Sequence, residues 1–163
     1  MTTFTVAPPR ARTPHVRSLS RAIADLASSE TPESESMSNS VSIDVARRAT
    51  VSALEDIRKE ASTEGWDGYG ALPVYSTTVT LALSLLQLLP SSLPAPDVSA
   101  SPLGEISLHW SAGPRKVVSI AISPTGRLSF AALAGDSRLF GSEMMTDELP
   151  RSITVALQKV LGS

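Results

Sequence analysis

Chemistry needs reactive groups that converge, and the 163 residues of this chain offer few of them. Cysteine is absent, which removes the thiolate nucleophile, thiolate zinc and iron–sulfur ligation and any disulfide framework. Of the two histidines only His109 lies in the part that reads as folded, on the polar side of an alternating apolar run, with Glu105 four residues before it. A general base works only within hydrogen-bond reach of its proton, whereas strand residues four apart stand about 13 Å apart. His109 and Glu105 therefore make no acid–base pair, and one histidine with scattered acids makes no metal site. No serine occupies a Gly-x-Ser-x-Gly turn, so a nucleophile triad has no local signature. The balance leans against an enzyme, with no catalytic residue, metal ligand or cofactor-binding residue expected.

Binding chemistry is better represented. Gly65-Trp66-Asp67-Gly68-Tyr69-Gly70-Ala71-Leu72-Pro73 gathers three glycines and two aromatics between two helical patterns. Such glycine density signals a shaped backbone. A phosphate cradle would need a strand before the glycines and a basic residue near them, which this loop lacks. A calcium loop would need several carboxylates, and Asp67 is alone. Two readings stand: Trp66 and Tyr69 pack while Asp67 hydrogen-bonds the turn, or Trp66, Asp67 and Tyr69 meet a partner. A second set, Arg115, Lys116, Arg127 and Arg138, would form a basic patch for RNA or an acidic partner if the four shared a face. The chain as a whole gives phosphate no attraction, because 16 acids against 14 bases leave a formal charge of −2. Asp136, Glu143, Asp147 and Glu148 read as a solvated rim.

The elements that must position these residues follow from periodicity. Residues 1–40 are rich in Pro, Ser, Thr and Glu and read as a mostly disordered tail, with a short amphipathic helix at 18–27 through Leu19, Ile23 and Leu26. The tail runs from basic (Arg10, Arg12, Arg17, Arg21) to acidic (Asp25, Glu30, Glu33, Glu35), and Met37 near its end is a second candidate start. Residues 41–163 read as one domain. Val45, Ala49, Ala53, Ile57 and Ala61 recur every four residues and predict a helix from Ser42 or Asp44 through Ser62. A second helix, capped by Ser76 and ending at Leu89 before Pro90, is apolar around most of its circumference and should be central to the core or lie under a partner. Pro90 to Pro102 reads as an extended connector.

The period then falls to two. Ile106-Leu108-Trp110, Val118-Ile120-Ile122 and Leu128-Phe130 predict three strands, joined by Gly113-Pro114 and Ser123-Pro124-Thr125-Gly126 turns into an antiparallel meander, with a short fourth strand at Ser137 to Gly141. A closing helix after Pro150 carries the stripe Ile153, Leu157, Val160 and Leu161. The class is α+β: two N-terminal helices, a three- to four-stranded β-meander and a C-terminal helix packed on the sheet. The densest apolar stretch, Leu81 to Leu89, is far short of the roughly 20 residues of a membrane span, and no secretory signal precedes it. A cytoplasmic protein without a membrane partner is expected.

Four segments, Trp66 to Pro73, Gly104-Glu105-Ile106-Ser107-Leu108-His109-Trp110, Ser123 to Ala131 and Phe140-Gly141-Ser142-Glu143, together resemble a family of short uncharacterised bacterial proteins. That family has a W-D-G-x-G-A-x-P loop, a leucine-rich helix, a G-E/G-I-x-L-x-W strand and an S-P-D-G-R-x-S-Y hairpin. The resemblance spans Ile57 to Leu161; this chain departs from it at Thr125 (Asp in the family), Phe130 (Tyr) and Phe140 (His). The last departure removes the family position best suited to catalysis. The resemblance implies a member of a small two-gene module, hence an antitoxin- or inhibitor-like protein whose partner is a cognate protein encoded next door. The alternative is a small RNA-acting toxin-like enzyme using Arg115, Lys116, Arg127, Arg138 and His109 on one sheet face. Nucleic acid is the less favoured partner, and a homo-oligomer is compatible with either reading.

Overall fold

A computed structural model describes residues 32–162, with side chains from residue 44 onward. The tail's proposed helix at 18–27 lies outside the described residues. The order is α1 (Pro32–Glu60), α2 (Ser76–Leu88), β1 (Asp97–Ala100), β2 (Ile106–Ser111), β3 (Lys116–Ile122), β4 (Arg127–Ala134), β5 (Ser137–Met144) and α3 (Arg151–Leu161). The strands form one sheet in chain order, every neighbour antiparallel. This is the expected α+β meander with five strands rather than three or four.

The additional strand comes from the stretch read as a connector. Pro94 and Pro96 stop short of it, and Asp97–Ala100 pairs with His109 to Ile106 as an edge strand, where Val98 meets Leu108 and Ala100 meets Ile106 on the core side. The fourth predicted strand runs on to Met144, because Glu143 and Met144 keep pairing with Leu128 and Arg127. Helix α1 begins at Pro32, well before Ser42, so residues 32–40 are helical rather than tail; proline's fixed φ suits a first helical position. Tyr75, not Ser76, is the N-cap of α2, and no side chain caps it.

The pleat sorts the sheet into two faces. Ile106, Leu108, Trp110, Val118, Ile120, Ile122, Leu128, Phe130 and Ala132 point to one side and are buried. The helices cover that side: α1 against β1 and α2, α2 against β2 and β3, α3 against β3 and β4. Helix α3 buries Ile153, Ala156, Leu157 and Val160 and ends at Gly162 in the left-handed region. Helix α2 buries the stripe Thr78, Val79, Ala82 and Leu85, while Leu81, Leu83 and Leu86 are half-buried against the same core. Its broad apolar surface is thus used by the sheet on one side and α1 on the other. No helix among the described residues is long and apolar enough to cross a membrane.

Candidate interaction surface

The loop between α1 and α2 is held by its own backbone and two side chains. The Asp67 carboxylate accepts from the N–H groups of Tyr69 (2.8 Å) and Ala71 (3.1 Å). These two donors, Tyr69 first, hold its carboxyl below the ordinary aspartate value. The Trp66 indole N–H donates to the Leu72 carbonyl at 3.0 Å, and its ring packs against the core. Gly68 lies at φ +80°, where its N–H reaches the Gly65 carbonyl at 2.8 Å. Trp66 and Asp67 therefore shape the loop, as one reading expected. Tyr69 does not pack: it is 78% exposed.

Two further bonds fix the loop to the body. The Val74 N–H donates to the Ala61 carbonyl at 2.8 Å, and the Leu72 N–H donates to the Pro102 carbonyl at 2.9 Å. The second ties the loop to the turn before β2, where Gly104 adopts φ +74°; a Cβ there would come within 2.7 Å of the Pro73 carbonyl oxygen. On these joined segments Leu72, Tyr75 and Leu103 are exposed by 50, 56 and 67%. With Tyr69 they are four exposed large apolar or aromatic side chains carried by this loop and turn. Sequence reasoning singled out Tyr69 and missed the other three. Their signal was a large apolar side chain within loop composition, Leu72 between Ala71 and Pro73 and Leu103 between Pro102 and Gly104.

The basic residues do not gather. Arg115 sits in the β3 approach at φ +60° and is paired to Asp136 at 2.6 Å, with its Nε also donating to the Gly135 carbonyl. Lys116 has the parity of Val118 and Ile120, so it opens the helix-covered side of β3 at its exposed end. Arg127 and Arg138 share the opposite side at the two ends of the β4·β5 pair, six rungs apart, about 20 Å. Arg127 donates to the Ser142 hydroxyl at 2.8 Å. Lys116 thus leaves the face that Arg127 and Arg138 share, and those two stand at opposite ends of it, so the four form no common patch.

His109 lies on the uncovered face between Asp97 of β1 and Ser119 of β3, a row set by register and invisible in the sequence. The row resembles a charge relay in composition, but it stands on an open pleated surface. Its side chains make no hydrogen bond to one another. Among the described residues no group of three or more imidazole and carboxylate side chains is placed to hold a metal ion. No protein-family model, curated protein or solved structure matches this chain.

Proposed function

We propose that this protein is a non-enzymatic partner-binding protein, antitoxin- or inhibitor-like, that meets a cognate protein through the surface of Tyr69, Leu72, Tyr75 and Leu103. The observation that carries the reading is the exposure of four large apolar side chains on segments locked together at Leu72–Pro102 and Gly104–Pro73. Exposed apolar side chains concentrated on one loop and turn are costly in water and favour a binding role. Tyrosines on rigid backbone supply large contact area at low entropic cost. The RNA-acting alternative is less favoured: His109, Arg127 and Arg138 share the uncovered face, but Lys116 lies on the other side and Arg115 is paired to Asp136.

The test is co-expression with the product of the adjacent open reading frame, tagged for capture. The two proteins are expected to co-elute, and the double variant Tyr69→Ser/Leu103→Ser, still folded by circular dichroism, to bind at least tenfold more weakly. Failure of the parent protein to bind its neighbour, or equal binding by the variant, would overturn the proposal.

A further inference from the structure

The far edge of the sheet presents a different surface, independent of the loop. Among the described residues strand β5 has a neighbour on one side only, and its eight residues contain no proline and no lysine, with its charges Arg138 and Glu143 near its two ends. The Met145 N–H donates to the Gly126 carbonyl at 2.8 Å, which makes Arg127 and Met144 a non-hydrogen-bonded pair. By alternation the N–H and C=O groups of Ser137, Leu139, Gly141 and Glu143 face β4, and those of Arg138, Phe140, Ser142 and Met144 face outward. Phe140, at the middle of this open edge, is 83% exposed. A shallow cleft of about 550 Å³ wraps the same edge, lined by Phe130, Leu139, Phe140, Arg151 and Val155 among others.

We infer that this edge pairs with the same edge of a second copy, joining two five-stranded sheets into one. A two-fold axis normal to the sheet pairs residues of like parity, and the register centred on Phe140 fits the side chains best. It stacks Phe140 on its own copy and sets Arg138 opposite Ser142 of the second copy, using the outward N–H and C=O groups of all three residues. On the core side it puts Leu139 of the second copy opposite Gly141, where the Phe130 ring crosses the strand and offers an apolar contact. Centring on Arg138 would oppose like charges. Centring on Gly141 would set Leu139 against Glu143, and centring on Ser142 would shorten the paired segment. A specific interface buries about 1,000 Å² or more in total. Two paired strands, each about 26 Å long, with two exposed phenylalanines and two clefts, reach that order. A strand of an unrelated protein could use the backbone edge but would lose the Phe140 pair and the reciprocal contact of Leu139 with Phe130.

Sedimentation equilibrium of the full chain over a concentration series tests this. The mass is expected to rise from one copy toward two, and to remain at one copy in Phe140→Lys, which places like charges across the axis, and in Ser142→Pro, which removes an outward donor. Circular dichroism and urea midpoint report that both variants keep their fold; Phe140 is largely solvated, so at least Phe140→Lys should. In this cysteine-free chain Phe140→Cys adds a positive readout, since the α-carbons of a hydrogen-bonded pair lie about 5.5 Å apart, within disulfide range. Oxidation should give a covalent dimer in high yield. A parent protein monomeric throughout, or a dimer undiminished in a folded Phe140→Lys variant, would overturn the inference.

Discussion

The ring of Phe130 occupies the space that a side chain on Gly141 would need. A Cβ built there would lie 2.8 Å from its Cε1 and 2.9 Å from its Cζ. The two residues face each other across β4 and β5 on the helix-covered side, so glycine lets an aromatic ring cross the last strand and close the core at its edge. Gly141→Val is expected to destabilise the protein by about 2 kcal/mol through overpacking. Phe130→Ala should cost about 3 kcal/mol by opening a cavity. In the double variant Gly141→Val/Phe130→Ala the two costs should fall short of their sum, because the valine takes up part of the vacated volume. Urea unfolding of the four proteins checks this; strict additivity would mean that ring and strand do not compete for space.

Thr78 presents the opposite case, a polar group with nothing to bond. It is wholly buried in α2 and its hydroxyl has no hydrogen-bond partner among the described residues. A buried unsatisfied hydroxyl costs about 1–3 kcal/mol. Valine has nearly the same shape and the same branching at Cβ, so Thr78→Val should raise stability by about 1 kcal/mol, seen as a higher urea midpoint at unchanged slope. Thr78→Ala should do worse than Thr78→Val because it removes methyl packing as well. A loss of stability in Thr78→Val would mean that the hydroxyl is satisfied after all.

Asp67 should leave a signature in the pH dependence of stability. Its carboxyl titrates lower in the folded protein because the Tyr69 and Ala71 N–H groups bond its charged form. The unfolded chain then takes up the proton first as acid is added, so the contribution is present above the ordinary aspartate value of about 3.9 and is lost as pH falls through the lower folded value. Asp67→Asn keeps an acceptor but no titration. The stability difference between parent and Asp67→Asn should be constant above about pH 5 and shrink toward pH 3. A difference that stays flat throughout would show that the two bonds do not discriminate between the charged and neutral carboxyl.

Elements whose pattern was their own packing were legible in the sequence. The alternation of Ile106, Leu108 and Trp110 and of Val118, Ile120 and Ile122 is the buried face itself, and the spacing of Ile153, Leu157 and Val160 is the stripe that docks α3. Strand β1 was not legible, because four residues with two prolines just before them carry too short a period; pairing to β2 makes the strand. Nor was the start of α1, since its Ser- and Glu-rich composition is shared with disordered segments. At the surface the difficulty was parity and exposure. Counting along the chain separates Lys116 from Arg127 only once the register is known, and Arg115 is spent on Asp136 across a turn. Whether Leu72, Tyr75 and Leu103 are covered is decided by what folds over them, which no local pattern records.

Gly104 offers the sharpest separation between building the binding surface and belonging to it. Its φ of +74° disfavours any side chain, and the Pro73 carbonyl stands where a Cβ would go. Backbone strain of this kind costs on the order of 1–3 kcal/mol, and here it can be relieved only by parting the loop from the turn, breaking the Leu72–Pro102 bond. Gly104→Ala is therefore expected to lower stability by about 2 kcal/mol and to weaken capture of the cognate protein together, because Leu72 and Leu103 lose their fixed relation. Tyr69→Ala, at a side chain that supports nothing, should leave stability within about 0.5 kcal/mol of the parent while weakening binding by about 2 kcal/mol, roughly thirtyfold. Unfolding curves beside binding titrations distinguish the two. If Gly104→Ala lost stability but bound its partner at full strength, the juxtaposition of the loop with the turn would be a matter of folding alone, and the interface would have to lie elsewhere.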